Sequence, residues 1–334
     1  MKKRPFRVAV VGCGTIAPNH LFALSAMPEV CVCALVDPRL ERAEAMRAKY
    51  ASEAKLFSDY ETMLGEIRPD VVHICTPHYL HASMAMRALS AGIHVYLEKP
   101  MCRTAEEIPL LLEAAKASTA KITVSFQNRL NPTTLAALKI ANEDGGALRG
   151  YGTLFWDRGE KYYTESGWRG KRETEGGGVL INQAIHTLDL LCLFLGTPRR
   201  VTATTANHHL KGIIDVEDSA EGIIEFDGGK HAGFYATTSY LGGCETTVLL
   251  ETAHHRLEIR TPDLYLDGVK VDLPKTLHAP VGKECYGAGH TYLIRRFYEA
   301  IASGEDAPIP PSEAQYALRV LLAAYRSGDE SVEV

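Results

Sequence analysis

Long hydrophobic runs are missing from this 334-residue chain. None approaches the ~20 consecutive apolar residues that a membrane-spanning helix needs, so no membrane partner is expected. The start, Met1-Lys2-Lys3-Arg4-Pro5, has the charge of a signal peptide, but the apolar segment behind it is short and runs into Gly12, so it reads as a first strand. A strong excess of one charge is missing too. Lys and Arg total 36 against 41 Asp and Glu, a formal net charge of −5, which argues against nucleic acid or an anionic surface as partner. The eight cysteines include no Cys-x-x-Cys, and Cys31, Cys33 and Cys75 fall inside apolar runs; reduced structural thiols in a cytoplasmic protein are expected. The histidines include His208-His209 and His254-His255, but adjacent strand residues point to opposite faces. No pair has the i, i+4 spacing of a helical zinc site, and no metal is expected. Neither an internal repeat nor a low-complexity segment occurs.

What is present is organised around one stretch. Phe6-Arg7-Val8-Ala9-Val10-Val11 is an apolar, β-branched run that ends in Gly12-Cys13-Gly14-Thr15-Ile16-Ala17 and leads into a helical pattern. Gly12 allows the tight turn, Gly14 lets backbone approach a pyrophosphate, and Ala17 is small enough for helix to pack on strand. The free N–H groups of that helix start favour an anion. A second apolar run, Val30 to Val36, ends in Asp37, whose carboxylate can accept hydrogen bonds from the ribose hydroxyls of NAD; NADP is the less favoured cofactor.

The length predicts two domains. Alternating strand and helix patterns run to Phe126, which predicts a doubly wound parallel sheet over residues 1–126. Ligands of that architecture bind outside the carboxyl ends of the strands, which selects Asp37, Thr76-Pro77-His78, Glu98-Lys99-Pro100 and Gln127-Asn128. Residues 127–334 change grammar. A helix over 133–142, a strand over 148–157 and an apolar helix from Val179 to Leu195 precede a meander from Val201 to Leu273, hence a second, mostly antiparallel sheet. Two helices, over 290–303 and 312–325, finish the chain.

Two residues stand out chemically. Lys99 sits past the end of a strand, and Pro100 biases it towards an extended backbone, so its ammonium projects into the crevice; the plainer alternative is a solvated loop lysine. Asn182, His186 and Asp189 follow at i, i+4 and i+7 and share a stripe of the apolar helix. A histidine there can take a hydroxyl proton, or can simply be a core residue.

Gly12 to Ala17, Thr76-Pro77-His78-Tyr79-Leu80-His81 and Glu98-Lys99-Pro100 together resemble the Gfo/Idh/MocA oxidoreductases, named for glucose–fructose oxidoreductase and inositol dehydrogenase. The likeness continues through Trp168-Arg169-Gly170, Gly176-Gly177-Gly178, Gln183 to Asp189, Tyr286-Gly287-Ala288-Gly289-His290 and Phe297 to Ile301. It implies a Rossmann domain, a C-terminal α/β domain with a large open sheet, and NAD(P)-dependent oxidation or reduction of a secondary hydroxyl or ketone on a sugar, inositol or related polyol. It implies cofactor contacts from Gly12, Gly14, Thr15, Ile16, Ala17, Asp37, Thr76, Pro77, His78, His81, Glu98, Lys99 and Gln127. Lys99 and His186 are the expected catalytic pair, with Tyr163, Trp168, Arg169, Asn182, Tyr286 and His290 completing the substrate pocket. Asn182 stands where relatives often carry Asp. An amide cannot relay a proton, so the proton falls to His186, with Lys99 polarising the same oxygen. His78 stands where relatives often have Asn. Two alternatives are an NAD-dependent glycosidase using transient oxidation and a non-catalytic cofactor-binding regulator. A homodimer or homotetramer through the C-terminal sheet is expected, with Ala232, Phe234, Ala236, Thr238 and Tyr240 on the face turned to a partner.

Overall fold

Strands that are buried on both faces read as unbroken apolar runs, and the first third of the chain is built from them. The structure, a computed structural model, describes residues 4–273 and 287–334. β1 (Phe6–Val11) is buried from Val8 onward and is followed by α1 (Ala17–Ser25). Then come β2 (Val30–Val36), α2 (Leu40–Tyr50), β3 (Lys55–Phe57), α3 (Tyr60–Ile67), β4 (Val71–Ile74), α4 (His81–Ser90), β5 (His94–Leu97), α5 (Glu107–Ala117) and β6 (Ile122–Val124). Asp59 starts α3 by accepting from Thr62 N–H at 2.7 Å, the cap that its position ahead of an apolar pattern predicts. The six strands form one parallel sheet in the order β3-β2-β1-β4-β5-β6. The order reverses between β1 and β4, and a crevice opens there at the carboxyl ends.

The second half begins with α6 (Pro132–Glu143), β7 (Arg149–Asp157) and the short α7 (Glu160–Thr164). A π-turn over Leu180–Ala184 runs into α8 (Ile185–Leu195). β8 (Pro198–Ala206), β9 (Ser219–Phe226), β10 (His231–Thr237), β11 (Ser239–Glu251), β12 (Arg256–Arg260), β13 (Asp263–Leu266) and β14 (Val269–Lys270) follow. α9 (Gly289–Ser303), α10 (Pro311–Ser327) and β15 (Val332–Glu333) complete the described chain. The nine strands lie in the order β14-β13-β12-β11-β7-β10-β9-β8-β15. The expected meander is therefore split. β7 enters between β10 and β11, parallel to the first and antiparallel to the second, and the chain steps over its end at buried Thr238. α8 lies close on this sheet because β7 has no side chain in its way: a Cβ on Gly152 would stand 2.4 Å from Thr187.

That packing corrects the expected partner face. Ala232, Phe234 and Ala236 are at most 3% exposed in the single chain, because their face of β10 is covered by the chain's own core. The side chains one residue out of phase point away: Tyr151 and Ile223 are exposed, and the Phe155 ring packs at a tilt against those of Tyr235 and Tyr240 at 5.5 and 5.3 Å. The cysteine expectation also changes. Cys13, Cys31, Cys33, Cys75, Cys102 and Cys192 are free, but Cys244, beside the register shift of β11, is disulfide-bonded.

The C-terminal helices return to the first sheet. Ile309 O accepts from Val124 N–H at 2.9 Å, and the ring of Tyr298 on α9 lies 5.6 Å from that of Phe6 on β1. The two sheets are thereby tied together with the crevice between them. Among the described residues no helix is long and apolar enough to cross a membrane.

Candidate active site

The turn after β1 is shaped by what it touches. Gly12 has φ +90°, and a Cβ on it would lie 2.5 Å from the carbonyl oxygen of Cys75 at the end of β4, so only glycine fits. Cys13 N–H donates to Asp37 Oδ2 and Arg39 N–H to Oδ1, each at 2.9 Å. Asp37, 6% exposed, is thus held at the tip of β2 by one backbone donor per oxygen and keeps further lone pairs to offer. A Cβ on Gly14 would meet nothing within 4 Å, and no side chain caps the start of α1, where Thr15 and Ile16 lead into Ala17. The open N–H groups suit a phosphate. At the neighbouring strand ends, Thr76 Oγ1, Gln127 Oε1 and Asn128 Oδ1 are buried with no hydrogen-bond partner among the described residues. Orphaned polar atoms at the strand ends beside an open glycine turn fit a bound dinucleotide.

Lys99 leaves β5 and crosses to the second half of the chain. Its Nζ donates to Asn182 O at 2.6 Å and to Asn182 Oδ1 at 3.3 Å. Asn182 Nδ2 donates to Tyr162 OH at 3.2 Å and to the carboxylate of Glu175. Glu175 is fully buried, also accepts from Gly170 N–H, and offers its backbone oxygen to His78 Nδ1 at 2.9 Å. Burial pushes Lys99 down to about 8, although Glu98 and Glu175 pull the other way. Burial likewise pushes Glu175 up to about 7, against the hydrogen bonds from Gly170 and Asn182.

His186 is partly open to the crevice, with its ring edge-on to Phe126 at 5.9 Å and Nδ1 without a partner among the described residues. Burial, then the Lys99 ammonium, pushes it down to about 3, so the ring is neutral. The expected stripe divides between two partners. Asn182 sits in the π-turn ahead of α8 and meets Lys99, whereas Asp189, further along α8 than His186, makes a two-pronged ion pair with Arg129 at 2.9 and 2.7 Å.

The remaining expected site residues divide. Trp168 lies against His78 with ring centres 4.7 Å apart, and the Arg169 guanidinium covers Tyr162 at 4.5 Å and Trp168 at 5.0 Å. Tyr163 turns away and packs with Leu210, Ile214 and Val216, because neighbours on α7 point about 100° apart; Tyr162 faces the crevice in its place. His81 spans Pro100 O at 2.7 Å and Thr76 O at 2.9 Å, so its ring fixes two strand ends and keeps no free nitrogen for a ligand. Glu98 points into the core. Tyr298 OH donates to His73 Nε2 at 2.9 Å, His73 Nδ1 to His20 Nδ1 at 2.8 Å, and His20 Nε2 to Glu98 Oε1 at 2.9 Å, a chain satisfied with both imidazoles neutral. His290 Nε2 lies 3.6 Å from the same oxygen. The donor atoms of His20, Glu98 and His290 lie within 4.8 Å of one another, a grouping with metal-like spacing that sequence distance hid; the His20–Glu98 hydrogen bond satisfies it directly. Tyr286 lies outside the described residues. Sequence reasoning missed Glu175, Tyr162, His20 and His73. Glu175 had a signal, an acid immediately before three glycines.

The profile of the oxidoreductase family with the NAD-binding Rossmann fold matches residues 6–126, and that of the GFO/IDH/MocA C-terminal domain matches residues 136–260. The chain is 29% identical over 247 residues to the D-glucoside 3-dehydrogenase of Escherichia coli K12, covering 69% of each chain. It is 28% identical to the inositol 2-dehydrogenase of Rhizobium meliloti 1021, covering 98% of each. The solved WlbA dehydrogenase of Bordetella pertussis, in complex with NADH and UDP-GlcNAcA, superposes with a TM-score of 0.87 at 25% identity, over 100% of this chain and 99% of that one. With both domain profiles matched in order and the glycine turn, Asp37 and Lys99 grouped at one crevice, the chain belongs to the Gfo/Idh/MocA oxidoreductases.

Proposed function

We propose that the protein oxidises a secondary hydroxyl of a sugar, inositol or related polyol, or reduces the matching ketone, with NAD held at the carboxyl ends of β1, β2 and β4. One observation carries this reading. Lys99, with a proton affinity tuned close to neutrality, and neutral His186 converge on the crevice beside the dinucleotide cradle. Relatives that act on glucosides and inositol support the substrate class.

Asp37 would accept from the ribose hydroxyls of the bound dinucleotide, and the N–H groups after Gly14 would hold its pyrophosphate. Bound there, the nicotinamide supplies the hydride acceptor or donor. Lys99 Nζ, once neutral, takes the hydroxyl proton as the carbonyl forms, and returns it in the reverse direction. His186 fixes the same oxygen. This reverses the roles expected from sequence: charging His186 means placing a second cation beside Lys99 in a dry pocket, whereas Lys99 gives up its proton readily there. Arg169 and Trp168 form the outer wall. A preference for NAD over NADP follows from the Asp37 carboxylate, softened by nearby Arg39. Six of the seven described cysteines are free thiols, which supports a cytoplasmic setting, while the disulfide at Cys244 stands against it. The exposed sheet face around Tyr151, Phe155 and Ile223 supports a homodimer or homotetramer.

A panel of free sugars, glycosides, inositols and nucleotide-linked sugars, followed by nicotinamide absorbance, tests the reading. A substrate that reduces NAD stoichiometrically is expected. Glycoside cleavage without net reduction would transfer the site to transient-oxidation hydrolysis, and loss of NAD binding would end both.

A further inference from the structure

A buried carboxylate that is not on the helix carrying His186 reaches the candidate base through one amide. We propose that Glu175 sets the protonation of Lys99 through the amide of Asn182, so that these three residues form one buried ammonium–amide–carboxylate unit with Glu175 as its positioning residue. This rests on the reading that Lys99 handles the substrate proton.

The amide can sit in only one way. Lys99 Nζ has donors alone, so it must face Asn182 Oδ1, as it does at 3.3 Å. The ionised Glu175 has acceptors alone, so it must face Nδ2, as it does. Turning the amide over would set NH2 against an ammonium and oxygen against a carboxylate. The dipole of Asn182 therefore points from cation to anion and strengthens the attraction between them, in a place where little water screens it. Both ends of the amide are taken by protein groups, which leaves Asn182 a bridge between charges.

The unit is anchored. Glu217 Oε1 and Oε2 accept from Gly178 N–H at 2.9 Å, Oε1 also accepts from Leu180 N–H at 3.0 Å and Tyr325 OH at 2.9 Å. This pins the glycine turn that carries Glu175. The groups facing Lys99 are Glu98 and Glu175, which favour its charge, and Arg169, Arg158, His78, His81 and His186. Those facing Glu175 are Arg169, Lys99, Glu217, Tyr163 and Tyr325. Held by hydrogen bonds from Gly170 N–H and Asn182 Nδ2, the ionised Glu175 carboxylate favours the Lys99 ammonium.

The test needs no substrate. Acetic anhydride labels neutral amines, and the Lys99 peptide is quantified by mass spectrometry as a function of pH in the whole protein. Glu175→Gln is expected to move the Lys99 labelling midpoint down by about 1 pH unit or more, the scale of removing an opposite charge at close range. Asn182→Asp is expected to move it up, and the double variant to return it towards the wild-type value. An unchanged midpoint in a folded Glu175→Gln protein, or no return in the double variant, overturns the proposal. If Glu175→Gln fails to fold, Glu175→Asp decides, since it keeps the charge but shortens its reach to Asn182 Nδ2, and an unchanged Lys99 midpoint is then the refuting result. Should the labelling midpoint move while the pH profile of turnover stays put, the proposal stands and the assignment of Lys99 as proton acceptor falls.

Discussion

Asp189 separates a structural carboxylate from a catalytic one. It shares the α8 stripe with Asn182 and His186 in sequence, yet it is 1% exposed and meets Arg129 through two hydrogen bonds, Nε to Oδ2 at 2.9 Å and Nη2 to Oδ1 at 2.7 Å. Arg129 is itself 8% exposed, and its remaining partner, Glu313 at 2.9 Å, has a half-exposed side chain. Asp189→Asn keeps the shape and removes the charge. The guanidinium is then left in the interior with one partly hydrated anion. Removing one partner of a buried pair costs ~3–5 kcal/mol, and the surviving contact to Glu313 places the expectation at the low end, about 3 kcal/mol. For a chain of this size, that corresponds to a melting point lower by roughly 4 °C. The assay is a urea midpoint together with kcat and KM on whichever substrate the screen yields. Stability falls, while kcat stays within about threefold, since Asp189 does not reach Lys99 or the crevice. Replacing both partners by Leu and Met recovers much of the loss, because no charge is then left unpaired. A variant with native stability and abolished turnover would refute the reasoning and return Asp189 to the active site.

Oxidation by the enzyme is expected to rise with pH through about 8, as Lys99 becomes neutral, and ketone reduction to fall over the same range; a profile flat from pH 6 to 10 would remove Lys99 as proton acceptor. Lys99→Ala should lose at least ~10²-fold in kcat and His186→Ala about tenfold or more, both with NADH binding kept by fluorescence titration. Asp37→Ser should shift cofactor choice towards NADP by roughly 1–3 kcal/mol in the ratio of kcat/KM, and equal use of both cofactors by the wild type would contradict the role given to Asp37. Light scattering should show a dimer or tetramer that Ile223→Asp, on the outward sheet face, weakens; a monomeric wild type at micromolar concentration would dismiss that face as an interface.

Period and punctuation made the first half legible. Buried parallel strands have no polar face, so Val8 to Val11 and Val71 to Ile74 could be located without a structure, and the glycine turn with Asp37 announced its ligand because backbone clearance at Gly12 and Gly14 is written in residue type. Lys99 followed from the rule that strand ends carry function. The outcome differed where contacts join distant segments. Whether β7 lies between β10 and β11 is a matter of which strand edges remain to be paired, and no local pattern encodes it. The one-residue phase that buries Ala232, Phe234 and Ala236 depends on where α8 and α10 land. Asp189 lies less than one turn beyond His186 on α8, yet it is claimed by Arg129, a partner that no local pattern announces. Glu175, Asn182 and Lys99 come from three separate segments, and the meaning of each depends on charges the others bring. Sequence determined which chemistry was available to this protein. Only the tertiary structure decided which groups share a low-dielectric space, and hence which of them can hold or release a proton.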